Sequence, residues 1–127
     1  MEKVPNPVYV IDDDGDVRKA LKVFLDAFGW SARCFSGANE FLTILPALRP
    51  ACLVVDIRMP EKDGLTLVEE MRTGGFNWPI IFVTGHTDEI PASKSICLIG
   101  CELVRKPFVG TELLDALVRQ NERVPTS

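Results

Sequence analysis

Polar side chains that can bind cations or phosphate follow several short apolar runs of the sequence. The runs end, in chain order, at Asp12 and Asp13, at Asp56, at Thr84 and at Lys106. If these runs are parallel strands, their carboxyl ends meet at one edge of the sheet and bring these side chains together. Three carboxylates in one place repel one another unless a cation neutralises them, and Mg²⁺ best suits a site with few protein ligands. Beside them, a lysine and a hydroxyl form a pocket for an anion.

This set of side chains has the chemistry for phosphoryl transfer. A carboxylate can act as a nucleophile and become an aspartyl phosphate, while the cation, the lysine and the hydroxyl bind the phosphoryl oxygens. Asp56 is the best candidate for the nucleophile because it ends the most apolar run. Asp12 and Asp13 are then expected to bind the metal, Asp13 directly and Asp12 directly or through water. Taken alone, each of these residues is more simply explained as a helix cap or as part of a turn. Only their common position at one edge of the predicted sheet favours a phosphoryl-transfer site.

The elements that would position these side chains alternate between strand and helix five times. The predicted strands cover residues 8–11, 31–35, 51–55, 80–83 and 103–104. The uninterrupted apolar run over 51–55 is typical of a central parallel strand that is covered on both faces. Because crossovers between parallel strands are right-handed, this order favours a flavodoxin-like (βα)5 α/β fold. In that doubly wound fold, the five-stranded parallel sheet has the order 2-1-3-4-5.

The spacing of apolar residues identifies the helices between the strands. The first helix is expected to end at Gly29 and to bury one face, formed by Val17, Ala20, Leu21, Phe24, Leu25 and Phe28. Ser36 and Thr111 are expected to cap the second and last helices. The last helix is expected to bury Leu113, Leu114, Leu117 and Val118. The segment over 92–99 is rich in mediocre helix formers and predicts a short or frayed fourth helix.

Composition narrows the class of protein. The chain has 127 residues, 46% of them hydrophobic, and a net charge of −4, which fit one globular domain and disfavour direct binding to nucleic acid. There is no bilayer-length apolar run and no signal peptide, so we expect a cytoplasmic location and no membrane contact. One histidine beside four cysteines disfavours a zinc site. The thiols, Cys52 above all, are expected to be buried in a reducing compartment.

Four motifs resemble the receiver domain of two-component response regulators. They are Val10-Ile11-Asp12-Asp13, Val54-Val55-Asp56-Ile57-Arg58-Met59-Pro60 with Asp63-Gly64, Val83-Thr84-Gly85 and Arg105-Lys106-Pro107-Phe108. The second motif is the most specific. Tyr9, Phe41-Leu42 and Gly85-His86 are similar to the receivers of nitrogen-fixation-type transcriptional regulators. The resemblance implies a single receiver domain over 1–127, with its core over about 8–120 and a tail or the start of a linker over 121–127.

The resemblance also implies a role for each site residue. Asp56 would accept a phosphoryl group from a sensor histidine kinase, and Thr84 and Lys106 would contact that group. Asp12, Asp13, Asp56 and the backbone carbonyl of Arg58 would hold Mg²⁺. The peptide bond between Lys106 and Pro107 is expected to be cis. Such a domain is not a conventional enzyme, because it catalyses only its own aspartyl phosphorylation and dephosphorylation.

In the family, the signal usually leaves through the face formed by the fourth helix, the fifth strand and the fifth helix. Leu103 stands on that strand where many receivers have an aromatic residue. A leucine has no ring to rotate, so we expect the usual coupling between threonine and aromatic ring to be absent or altered. The resemblance implies either a DNA-binding output domain in a longer protein or a separate effector protein. It also allows a homodimer that forms on phosphorylation.

Three alternatives to a phosphorylated receiver can be compared with the residues. Asp12-Asp13-Asp14-Gly15 fits the opening of haloacid-dehalogenase-type phosphatases, but a later acidic pair and a cap domain are missing. Asp12, Asp14 and Asp16 have the opening spacing of a calcium-binding EF-hand loop. The twelfth position of that loop is Val23 rather than the required Glu, which rejects it. A receiver fold that serves only as a binding module, with lost or altered switching, stays open as a minor alternative.

Overall fold

The computed structural model describes residues 6–85, 100–106 and 111–125 of the chain. In these ranges five strands and four α-helices follow one another: β1 (Asn6–Ile11), α1 (Gly15–Ala27), β2 (Trp30–Phe35), α2 (Ala38–Ile44), β3 (Cys52–Asp56), α3 (Gly64–Thr73), β4 (Ile80–Thr84), β5 (Glu102–Arg105) and α4 (Glu112–Asn121). All strand pairs are parallel, and the sheet order is β2-β1-β3-β4-β5. The predicted fold class and strand order are confirmed. The helix predicted over 92–99 lies outside the described residues, so the last predicted helix is α4.

Apolar side chains cover both faces of the central strand β3. Leu53 and Val55 belong to the core beneath α2 and α3, whereas Cys52 and Val54 belong to the core beneath α1 and α4. This is the two-sided burial that an uninterrupted apolar run predicts for a parallel strand. Cys52 is fully buried, as expected, and burial raises the pKa of its thiol far above the usual range. Cys34 and Cys101 are half-buried, and Cys97 lies outside the described residues.

Helix α1 begins and ends with the expected local signals, but its apolar face is narrower than predicted. Asp14 caps it by accepting hydrogen bonds from the backbone N–H groups of Asp16 and Val17, and Gly29 follows it with a left-handed φ of 89°. Leu21 and Leu25 are buried, whereas Phe28 is 60% exposed and Ala20 is exposed. Phe28 turns outward because the helix ends at Ala27 and the chain leaves the helical path there.

The cap predicted for the second helix is wrong, and the cap predicted for the last helix is confirmed in position only. Helix α2 begins at Ala38, so Gly37 is its N-cap, and the Ser36 hydroxyl contacts the carboxylate of Glu40 instead of a backbone N–H. Thr111 does precede α4, yet its hydroxyl donates to Asp115 Oδ2 at 3.1 Å and makes no cap hydrogen bond.

The inward face of α4 is also corrected. Leu113 and Leu117 are buried as expected, together with Ala116, and Leu114 is half-buried. Val118 is 58% exposed. The buried face therefore follows positions 113, 116 and 117, which leaves Val118 outside the stripe that meets the sheet.

The loop between β3 and α3 contains a strained residue. Glu61 has a left-handed φ of 69°, a conformation that costs residues with a Cβ roughly 1–2 kcal/mol and that Asn tolerates better. We expect Glu61→Asn to raise the free energy of unfolding by up to about 1 kcal/mol in urea denaturation. Glu122→Asn is the control, because Glu122 has an ordinary φ of −65° and should show no gain. Equal effects of the two substitutions would contradict this account of the loop.

In the part of the chain that the structure describes, no helix is long and apolar enough to cross a bilayer.

Candidate functional site

The structure brings the three predicted carboxylates together. Asp12 and Asp13 directly follow β1, and Asp56 is the last residue of the neighbouring strand β3. Carboxylate oxygens of the three residues all lie within 4.8 Å of one another. Asp12 is buried, Asp56 is half-buried and Asp13 is exposed, so the cluster forms a shallow site at the carboxyl edge of the sheet. The juxtaposition follows from the parallel register, in which Ile11 pairs with Val55.

Lys106 lies against this cluster from the other side. It directly follows β5, and its Nζ is 3.2 Å from Asp12 Oδ2 and 3.5 Å from Asp56 Oδ2. Its backbone N–H donates to the carbonyl of Thr84 at 2.8 Å. Thr84 ends β4 and is only 4% exposed. The strand ends therefore place all five predicted side chains at one edge of the sheet.

The electrostatics of the cluster favour a bound cation. Burial raises the pKa of Asp56, the Asp12 carboxylate raises it further, and Lys106 offsets only part of this. Burial alone would lower the pKa of Lys106. The carboxylates of Asp12 and Asp56 have the larger, opposite effect, so the pKa of Lys106 is raised. One ammonium therefore does not fully neutralise the carboxylates around it. Because the donors are all carboxylate oxygens with open access from Asp13, the set fits a hard divalent cation such as Mg²⁺.

Three hydrogen bonds to backbone and side-chain groups hold Asp12 in place. Its N–H donates to the carbonyl of Phe35 at 3.2 Å, and its Oδ1 accepts from the N–H of Asp14 at 2.9 Å. Its carbonyl accepts from Arg18 Nη1 at 2.7 Å. The sequence analysis did not identify Arg18. Its place one turn into α1, directly after the acidic loop, is the signal that could have indicated it.

The loop after β3 holds Asp56 in a similar way. The N–H of Arg58 donates to Asp56 Oδ1 at 3.2 Å, and the N–H of Ile57 donates to the carbonyl of Val83 at 3.1 Å. The N–H of Gly64 donates to the carbonyl of Ile57 at 2.8 Å, and this hydrogen bond closes the loop onto the strand. These contacts fix the direction of the Asp56 carboxylate toward the cluster.

Leu103 lies on the strand that the sequence predicts for it, whereas several other predicted features fall outside the described residues. Leu103 lies on β5 and is 44% exposed, so it forms part of the outer surface beside the site. His86, Pro107 and Phe108 lie outside the described residues, and so does the expected cis bond before Pro107.

Comparison with known proteins identifies the family. The model of the response regulator receiver domain matches residues 8–118. The transcriptional regulatory protein FixJ of Bradyrhizobium diazoefficiens is 36% identical over 118 residues, which are 91% of this chain and 58% of FixJ. The response regulator protein TodT of Pseudomonas putida is 38% identical over 110 residues, which are 87% of this chain and 48% of TodT. The chain thus spans about half the length of these curated relatives.

The fold comparison agrees. A crystal structure titled FixJ-N superposes with a TM-score of 0.87 and 30% identity, and the match covers 100% of both chains. The strand order, the acidic edge and the matched family model all agree with the motifs found in the sequence. The chain belongs to the family of response regulator receiver domains of two-component systems.

Proposed function

We propose that this receiver domain is a phosphorylation-dependent switch that accepts a phosphoryl group from a sensor histidine kinase on Asp56. The observation that carries the proposal is the cluster of Asp12, Asp13 and Asp56 with the Lys106 ammonium against it. A structural role alone does not account for it, because gathering three carboxylates at one edge costs free energy.

The reaction follows from the position of Asp56. A carboxylate oxygen of Asp56 attacks the phosphorus of a phosphohistidine, a P–O bond forms, and the P–N bond breaks with its electron pair returning to the imidazole. Lys106, which contacts Asp12 and Asp56 in the described state, is within reach of an oxygen on the new phosphoryl group. The Thr84 hydroxyl is the second candidate donor to that group.

Asp12, Asp13, Asp56 and the backbone carbonyl of Arg58 are the proposed ligands of Mg²⁺. When bound, Mg²⁺ would supply positive charge that offsets the carboxylates and the phosphoryl oxygens. The carboxylate oxygens that lie within 4.8 Å of one another support this assignment for the three aspartates.

Phosphorylation would change the partner of Lys106. The phosphoryl group adds up to about two negative charges and three acceptor oxygens, which compete with Asp12 for the ammonium. Lys106 directly follows β5, and β5 is joined to α4 by the ion pair between Glu102 and Arg119, at 2.6 Å. A shift of Lys106 therefore changes the population of conformations on the face that carries β5 and α4.

Arg18 is proposed to position the metal ligands by holding the Asp12 backbone. We expect Arg18→Ala to weaken Mg²⁺ binding about tenfold in isothermal titration calorimetry, which is the scale for losing a support behind a ligand. Lys19→Ala is the matched control, because Lys19 is the exposed neighbour on the same helix. If both variants bound Mg²⁺ as the parent does, Arg18 would have no positioning role.

A phosphatase of the haloacid-dehalogenase type is the competing function, and turnover separates the two. With p-nitrophenyl phosphate and Mg²⁺ in excess, we expect no sustained release of p-nitrophenol. Acetyl phosphate with Mg²⁺ should instead modify the chain stoichiometrically, and EDTA should prevent it. Sustained turnover of p-nitrophenyl phosphate would favour the phosphatase. Binding without modification would favour a receiver fold with lost switching.

The wider context is proposed from the relatives. One relative is named a transcriptional regulatory protein, and this chain spans only about half of it. We propose that a DNA-binding output domain in the same protein, or a separate effector, receives the signal in the cytoplasm. The domain itself is expected to include residues 1–127, and a homodimer that forms on phosphorylation is one route for the signal.

A further inference from the structure

A cleft lies at the opposite end of the sheet from Asp56. It has a volume of about 480 Å³, and Pro7 and Ser31 line it at the amino ends of β1 and β2. Pro7 is five residues before Asp12 along β1, which corresponds to roughly 16 Å at the usual rise of a strand. The cleft is therefore separate from the carboxylate cluster, and the proposed phosphorylation does not use it.

Two arginines line this cleft. Arg33 pairs with Tyr9 across β1 and β2, so the two residues share a face of the sheet, and Arg49 reaches the cleft from the chain after α2. The Tyr9 hydroxyl donates to the carbonyl of Arg49 at 2.7 Å, which fixes the backbone of Arg49 at the cleft. The Arg33 guanidinium lies 5.3 Å above the centre of the Phe35 ring. The Arg33 side chain and the Arg49 backbone are therefore held at the cleft.

Among the residues that the structure describes, no acidic group pairs with the two arginines of the cleft. No carboxylate lines the cleft, and neither Arg33 nor Arg49 forms an ion pair among the described residues. Burial raises the pKa of Tyr9, whereas both guanidinium groups act to lower it. Two like charges near a buried aromatic floor attract an anion, and guanidinium groups bind planar oxyanions with paired hydrogen bonds. The chain as a whole carries a net charge of −4, so this cleft is a local exception.

Tyr9, which lines the cleft, packs into an aromatic cluster beneath it. The Tyr9 ring contacts the rings of Phe35, Phe41 and Trp78, with centroids 5.9–6.1 Å apart. Leu48 adds an apolar wall. The volume lies within the range of roughly 300–1,000 Å³ that is typical of small-molecule sites. We propose that the Arg33–Arg49 cleft binds a compact organic molecule through a phosphate or carboxylate group that both guanidinium groups contact.

Tyr9 is the only tyrosine of the chain, which allows a direct test. Chain labelled with 3-fluorotyrosine gives one fluorine resonance, which reports on this cleft. Inorganic phosphate and succinate serve as separate probes for the two kinds of oxyanion, at constant ionic strength set with chloride. We expect a saturable shift of the resonance with at least one probe, in the millimolar range. Whichever probe saturates identifies the group that the cleft prefers.

Charge variants complete the test. The double variant R33Q/R49Q should bind at least tenfold more weakly, and Arg49→Gln alone tests the site without disturbing the contact of Arg33 with Phe35. Lys19→Gln, which removes an exposed charge on α1, should bind like the parent. The proposal is overturned if neither probe gives a saturable shift, or if the Arg49→Gln and double variants bind as tightly as the parent. An equal loss in Lys19→Gln would show general charge screening and would also overturn it.

Discussion

Asp56→Asn is expected to abolish covalent phosphorylation of the chain by acetyl phosphate. The amide that replaces the carboxylate keeps the shape of the side chain but lacks a nucleophilic anionic oxygen. The other carboxylates and Lys106 stay in place, so binding of a phosphate donor alone would not rescue the reaction. The measurement is the fraction of chain that carries a phosphoryl adduct after an acid quench, read by mass spectrometry.

Asp63→Asn is the matched control for this substitution. Asp63 lies in the same loop, and its Oδ1 caps α3 by accepting from the N–H of Thr66 at 2.7 Å. Asn also caps helices well, so this variant should fold and accept the phosphoryl group like the parent. If Asp56→Asn were modified at full stoichiometry, the assignment of Asp56 as the acceptor would be refuted.

Gly64→Ala is expected to produce the largest loss of stability among single changes near the site. A Cβ on Gly64 would overlap the carbonyl oxygen of Asp56 and lie 2.8 Å from Val55 Cγ1. The carbonyl belongs to the strand that carries the proposed acceptor and cannot move away without shifting that strand. We expect a loss of about 2–3 kcal/mol in the free energy of unfolding, measured in urea.

Gly37→Ala is the control for the glycine substitution. A Cβ on Gly37 would meet no atom within 4 Å, and its φ of −172° is extended backbone that any residue adopts. Its effect should stay within about 1 kcal/mol. Similar losses for both variants would mean that the close approach of Gly64 to Asp56 does not determine stability. In Gly64→Ala we also expect weaker Mg²⁺ binding, because the displaced carbonyl belongs to Asp56 itself.

The sequence predicts the sheet and the acidic edge well because both depend on strong, local signals. An uninterrupted apolar run predicts β3, and the rule that parallel strands end at one edge then places Asp12, Asp56 and Lys106 together. Neither step depends on knowing to within one residue where a helix begins or ends.

Helix ends and long side chains are predicted less well for a physical reason. A shift of one residue in the start of α2 moves the cap from Ser36 to Gly37, and the end of α1 at Ala27 leaves Phe28 exposed. Packing in the folded chain decides such shifts. Arg18 reaches the Asp12 carbonyl through a flexible side chain, and spacing alone does not indicate where such a side chain ends.

The sequence likewise does not predict the Arg33–Arg49 cleft. Its two arginines stand far apart along the chain and come together because the short helix α2 returns the chain to the amino ends of β1 and β2. Only the register of Tyr9 with Arg33 and the hydrogen bond from Tyr9 to Arg49 reveal their common surroundings.

The central claim is that the carboxylate edge lets one aspartate carry a transient phosphoryl group. Its most direct test is to incubate the chain with acetyl phosphate and Mg²⁺, to quench with acid at several times, and to measure the intact mass before mapping the modified peptide. The account predicts a single PO₃-sized adduct, on the peptide that contains Asp56, and no adduct in EDTA. The absence of any adduct at the shortest quench time, or an adduct on a different residue, would contradict it.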